Sequence, residues 1–410
     1  MPRISESHLE EVKRYLDFQL GKIETLKRLV LEKGYSWVNF PEPKKGKVYA
    51  VDGSRMIKRL SGAIIYAVSS VAIGEDLLQW HEIGLVSPYK HVDERIRLHM
   101  ETLESRIGAM TREIKKADLI LMDGTLSGSI ARPPAYINGT SKELYEGNKI
   151  DFLDTLRAFL ELLEGEWERW KEELEKGALI NHSTIIARRE NLFGYLKERT
   201  LDPSFIGEIE QDPTHRENLV IFLEYVEYLH ALDKLLGGRV AFIAKTFYTD
   251  DVVRSATADK EEHALMPDVP ILDAISKERG YFPFEYHRNE KGIKWSLPEP
   301  IKKLQREGYL RNIAELFKKE PAGAITPAYV RFVNGGVVYL METLNLDEEL
   351  LGLILGVSED EYVIPLEYAH HSVVIKKQEF DTYVDSIVNA LVGEDERYLS
   401  FLRYGREPLE

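Results

Sequence analysis

Val48-Tyr49-Ala50-Val51-Asp52-Gly53-Ser54-Arg55 and Leu119-Ile120-Leu121-Met122-Asp123-Gly124-Thr125 decide how this chain is read. Each is a short apolar run halted at Asp-Gly, the pattern of a buried strand that ends in a turn. A carboxylate at the end of a buried strand costs free energy unless it is paired or holds a cation. Two of them, delivered by neighbouring strands, would serve one divalent ion or two.

The segments between and around the two runs supply the architecture. Residues 63–73 and 77–86 read as two further strands, parted by Gly74-Glu75-Asp76. A helix follows over 93–116, opened by Asp93-Glu94 and carrying an apolar stripe of Ile96, Met100, Leu103, Ile107, Met110 and Ile114. Three antiparallel strands, a helix, then a strand laid beside the first is the layout of an RNase H-like core. The expected fold is therefore α/β, a mixed β-sheet flanked by helices, in which Asp52 and Asp123 lie on adjacent strands. Residues 1–44 read as an N-terminal helical segment, 45–140 as the first part of the core, and 141–236 as a large helical insertion. Residues 237–410 bring the rest of the core: a strand from Val240 to Ala244 stopping at Lys245, a hairpin through Asn334-Gly335-Gly336, and a helix running from Leu366 through His370.

Composition narrows the class. The 410 residues are 44% apolar and 30% charged, with no cysteine, so disulfide-stapled secreted folds are excluded. No signal-peptide block or membrane-length apolar run occurs, and a cytoplasmic location without membrane contact is expected. The net charge of −15 argues against a DNA binder that relies on global positive charge, though not against a local basic groove.

Two-metal phosphodiester hydrolysis requires several carboxylates around a pair of divalent ions roughly 3.5–4 Å apart. Asp52 and Asp123 are the natural first ligands, and a third should come from the helix between them. Glu101, Glu104 and Glu113 compete for that place; Glu104, beside Leu103 and one turn before Ile107, borders the buried stripe and is favoured. Met122-Asp123-Gly124-Thr125 also imitates the Asp-x-Asp-Gly-Thr signature of haloacid-dehalogenase phosphatases. Here Leu121 occupies the nucleophile position and cannot attack a phosphate, so that chemistry is excluded. Ala369-His370-His371 offers imidazole nitrogen, which suits Mn²⁺ better than Mg²⁺, and a tandem pair on a helix sends only one ring to any site. His81, His182 and His263 read as structural residues. Arg55, Lys58 and Arg59, just after the first aspartate, are placed to touch phosphates or to form a solvated basic turn.

The Val51-Asp52-Gly53-Ser54-Arg55 turn, the glutamate-bearing helix, Leu121-Met122-Asp123-Gly124, the Val240–Lys245 and Tyr329-Val330-Arg331 strands, and Tyr362…Pro365…Ala369-His370 occur here in a fixed order. Taken together they resemble the NurA nuclease family of archaea and some bacteria, over about residues 45–380. The resemblance implies a Mn²⁺-dependent nuclease, with Mg²⁺ as a possible substitute. Such an enzyme would cut single-stranded DNA endonucleolytically and degrade DNA from 5′ ends. It would act as a homodimer with a HerA-type hexameric helicase in resecting double-strand breaks. It also implies Asp52, Glu104, Asp123 and His370 as metal ligands and Tyr362 as an active-site residue. Two other readings stand beside it: a non-catalytic adaptor that regulates a DNA translocase, and another RNase H-like nuclease acting on RNA or junctions.

Overall fold

Among the described residues, eight strands form one sheet in the order β3-β2-β1-β4-β5-β8-β7-β6. They are β1 (Val48–Arg59), β2 (Ile64–Ile73), β3 (Leu77–Val86), β4 (Leu119–Asp123), β5 (Val240–Ala244), β6 (Gly280–Pro283), β7 (Thr326–Arg331) and β8 (Tyr339–Thr343). The structure is a computed structural model and describes residues 6–130, 142–180, 184–258, 266–286, 297–318 and 324–403. β1, β2 and β3 pair antiparallel, β1 with β4 and β4 with β5 pair parallel, and β8, β7 and β6 close the far side antiparallel. The sheet is mixed, flanked by helices, and sets the first and fourth strands side by side, as the order of apolar runs predicts.

Burial on both faces explains why β1, β4 and β5 read as unbroken apolar runs. Tyr49, Val51, Ile120, Met122 and Phe242 face a layer containing the helices Val92–Lys115, Lys149–Glu175 and Pro213–Leu236. Val48, Ala50, Leu119, Leu121, Ala241 and Ile243 face the helices Glu348–Gly356 and Ile364–Val373. Buried ion pairs lock the first layer: Arg95 to Glu224 at 2.8 Å and Arg106 to Glu227 at 2.6 Å tie Val92–Lys115 to Pro213–Leu236. Such pairs add little net stability but penalise any slippage that would separate them. They hold the rotation of the helix that carries Glu104. No helix among the described residues is long and apolar enough to cross a membrane.

One expectation is corrected. The Asp52-Gly53 step is not a turn, because β1 continues to Arg59 and keeps its antiparallel register with β2 as far as Arg59↔Ile64. Its parallel register with β4 stops at Val51↔Met122. Gly53 forms an ordinary strand residue here and has no positive φ. Asp-Gly signals a turn only where the backbone is free to turn, and the long β2 partner prevents it. The second Asp-Gly does turn: Gly124 has φ 103°, a conformation that side-chain-bearing residues rarely adopt.

Candidate metal centre

A crevice opens where β1 loses its parallel neighbour, at the carboxyl ends of β4 and β5. Open α/β sheets commonly bind ligands at such a place. Asp52 continues the alternation of Val48 and Ala50, and Asp123 that of Leu119 and Leu121, so both point to the face covered by Ile364–Val373. That helix presents His370, whose Nδ1 lies 2.9 Å from Asp52 Oδ2. Asp52 Oδ1 accepts a hydrogen bond from the Gly53 N–H at 2.7 Å. One ligand atom from each of Asp52, Asp123 and His370 lies within 4.8 Å of the other two. His371 turns away to Glu367, 3.0 Å from its Nε2.

Glu104 arrives from the opposite layer. It lies against Gly53, where an added Cβ would meet Glu104 Cγ and Cδ at 2.8 Å and its Oε1 closer still. Gly53 is thus required for close approach of a carboxylate, not for its own backbone angle. The other two candidates are engaged elsewhere. Glu101 accepts from Arg97 Nε at 2.7 Å, and Glu113 lies 3.4 Å from Lys171 on the Lys149–Glu175 helix. Glu101 still borders the same cavity of about 440 Å³, together with Asp52, Gly53, Glu104, Asp123 and Lys245.

Charge accumulates in this cavity faster than the protein can neutralise it. Burial, then the charges of Asp52, Glu101 and Asp123, holds the Glu104 carboxyl well above the usual carboxylate range. Burial and Asp52 raise Asp123 as well, while Lys245 and His370 pull it back. Carboxyls that cannot all shed their protons are relieved by a divalent cation, and metal binding then releases protons. Oxygen donors joined by one imidazole fit Mn²⁺.

Tyr362 lies in a two-stranded ribbon just before the Ile364–Val373 helix. Its ring packs on Tyr339 with centroids 4.9 Å apart, and its hydroxyl is buried with no hydrogen-bond partner among the described residues. Burial first, then the negative charge of Asp123, keeps its phenol protonated. Arg55, Lys58 and Arg59 do not border the cavity. Arg55 donates to the Asp93 carbonyl at 2.6 Å, Arg59 pairs with the Asp93 carboxylate at 2.5 Å, and Lys58 pairs with Asp381 at 3.2 Å. Strand alternation splits them between the two faces, where a turn would have gathered them. His81 Nδ1 is 2.7 Å from Ser69 Oγ, a structural contact. His182 and His263 lie outside the described residues. Arg97 and Lys245, which belong to no ligand motif in the chain, also border the cavity. The signal for Lys245 was present: a charged residue directly after an apolar run, as at Asp52 and Asp123.

The NurA domain family matches residues 46–375. The chain is 30% identical to the DNA double-strand break repair nuclease NurA of Pyrococcus furiosus, with 100% of both chains covered. It also resembles solved structures. One is a crystal structure of NurA, at 28% identity and TM-score 0.75, covering 96% of this chain and 99% of that one. Another is NurA bound to dAMP and manganese, at 28% identity and TM-score 0.72, covering 93% and 97%.

Proposed function

This chain belongs to the NurA family, and from that premise we propose that it is a Mn²⁺-dependent DNA nuclease working at Asp52, Glu104, Asp123 and His370. The observation that carries the reading is the convergence of Asp52, Asp123 and His370 within 4.8 Å, with Glu104 lying over Gly53. The named activity of the Pyrococcus relative and the manganese and dAMP of the solved structure support it. Bound divalent metal would polarise the scissile phosphate and make water a competent nucleophile at neutral pH. The protein's own part is to hold that chemistry in place. Asp52 and Asp123 offer oxygens from two strands whose mutual register prevents drift. His370 offers nitrogen and, through Asp52, keeps its ring fixed. Tyr362, its phenol held protonated beside Asp123, supports the site from below through the contact of its ring with Lys245.

The finer reading is single-strand endonuclease and 5′–3′ exonuclease action, as a homodimer with a HerA-type hexameric helicase in end resection. Arg55, Lys58 and Arg59, outside the cavity, would contact the strand beyond the cut. Cleavage of single-stranded DNA, 5′-recessed and 3′-recessed duplexes and RNA, each with Mn²⁺, tests this reading. Cutting of RNA alone would overturn it. Titration calorimetry tests the metal: Mn²⁺ affinity should weaken as pH falls, because Glu104 and Asp123 hold their protons above the usual range. Absence of Mn²⁺ binding at neutral pH would favour the adaptor reading.

Gly53→Ala isolates the position of one ligand. The new Cβ would displace Glu104, while β1, with ordinary φ at residue 53, keeps its register. Cleavage should fall about 100-fold, the cost of misplacing a reacting group by an ångström or so. Unchanged cleavage by a folded Gly53→Ala protein would remove Glu104 from the centre.

A further inference from the structure

β5 ends at the crevice beside β4, and the residue after it is Lys245. The register Asp123↔Ile243 places Lys245 two residues beyond the partner of Asp123, on the same face. Its ammonium lies 4.7 Å from the centroid of the Tyr362 ring and 3.4 Å from Glu367 Oε2. Glu367 is shared with His371 at 3.0 Å and is half-exposed, so this is a loose partner, easily exchanged for a stronger anion. Among the described residues bordering the cavity the cations are Arg97 and Lys245. Arg97 donates to Glu101 at 2.7 Å, which leaves Lys245 as the cation with the weaker hold on a carboxylate.

We propose that Lys245 is a catalytic residue whose ammonium binds a non-bridging oxygen of the scissile phosphate. The proposal rests on the nuclease reading and adds to it a residue outside the carboxylate and histidine set. In the hydrolysis a water oxygen bonds to phosphorus as the bond from phosphorus to the leaving sugar oxygen breaks. The water loses one proton to solvent, and the leaving oxygen takes one up. Lys245 keeps its proton throughout. Negative charge concentrates on the non-bridging oxygens at the transition state, and a fixed cation there acts without reorganisation. The Tyr362 ring beneath the ammonium holds the flexible stem and adds a cation–π attraction. Four carboxyl groups border the cavity, and the DNA phosphate is itself an anion, so a fixed cation there favours its approach alongside the metal.

The test is Lys245→Met, which keeps an apolar stem on Tyr362 and removes the charge, with Lys245→Arg as the conservative variant. Lys245→Met should lower kcat on single-stranded DNA with Mn²⁺ by about 100- to 1,000-fold. KM should stay within about threefold. Mn²⁺ affinity by calorimetry should be unchanged or tighter, because a charge that repels the ion is gone. Lys245→Arg should recover part of the lost kcat. Wild-type kcat in Lys245→Met, or a kcat loss matched by weaker Mn²⁺ binding and a lower melting temperature, overturns the proposal; the second outcome would mean a structural lysine. A wild-type protein that neither binds Mn²⁺ nor cuts DNA overturns the nuclease reading and this proposal together. Equal activity of wild type and Lys245→Met overturns this proposal alone.

Discussion

Replacing Asp52 with asparagine is expected to lower Mn²⁺-dependent DNA cleavage by more than about 100-fold while the protein folds as before. Loss of groups that merely support a metal ligand costs roughly 10- to 100-fold, so loss of a ligand itself should exceed that range. Asp52 is the residue on which the centre turns. One of its oxygens accepts from Gly53 N–H and the other meets His370, and its charge raises both Glu104 and Asp123. The asparagine side chain keeps the volume of a residue that is 8% exposed and can still hydrogen-bond His370, so the sheet has no reason to rearrange. Asp123→Asn should behave alike, since Gly124 and not the carboxylate makes the turn that ends β4. The measurement is single-turnover cleavage beside circular dichroism. A well-folded Asp52→Asn protein that cuts at wild-type rate would sink the assignment.

Glu104→Gln should separate activity from stability, with opposite signs. Cleavage is expected to fall by more than about 100-fold, as for Asp52. The metal-free protein should at the same time melt at a higher temperature at neutral pH. Glu104 is raised by burial and by Asp52, Glu101 and Asp123, so its folded-state pKa lies above the unfolded value. Such a group is harmless below the unfolded value, where it is protonated in both states. Its stabilising proton is lost as pH rises through the folded value, and the bare carboxylate then burdens the folded state. Glutamine carries no such burden, so its advantage should shrink toward pH 4 and also in saturating Mn²⁺, which relieves the wild type. Melting curves at two pH values, with and without Mn²⁺, read this directly. A Glu104→Gln protein less stable than wild type in metal-free buffer at pH 7 would show that Glu104 serves the fold and not the centre.

The two predictions rely on different parts of what could be read in the chain. Asp52 and Asp123 stand out because a charged residue after a buried run is rare enough to demand a reason. Glu104 was one acid among three on a helix, and only its neighbours in the apolar stripe separated it. The structure distinguishes it by Gly53, a residue about fifty positions away whose missing side chain leaves room for the carboxylate. His370 had no local signal at all beyond its tandem partner, and stood on the family resemblance. Its contact with Asp52 spans 318 residues of chain. Arg55, Lys58 and Arg59 show the opposite case. They were grouped by sequence proximity, and strand alternation then divided them.

Apolar patterning marks β1 to β5 and the helix before β4, and singles out Asp52 and Asp123 as candidates, while β6 leaves no comparable trace. Those assignments follow from short-range physics: apolar periodicity and the cost of stranding a carboxylate beside a core. Strand length, the glutamate within reach of Gly53 and the cations beside the cavity follow instead from long-range packing. β1 runs through Asp52-Gly53 because β2 supplies hydrogen-bond partners to Arg59, a fact that lies in the pairing and not in either strand alone. Lys245 borders the cavity because β5 stands in register with β4 across more than a hundred residues of intervening chain. Registers of that kind depend on long-range packing, to which no local pattern in the chain is sensitive.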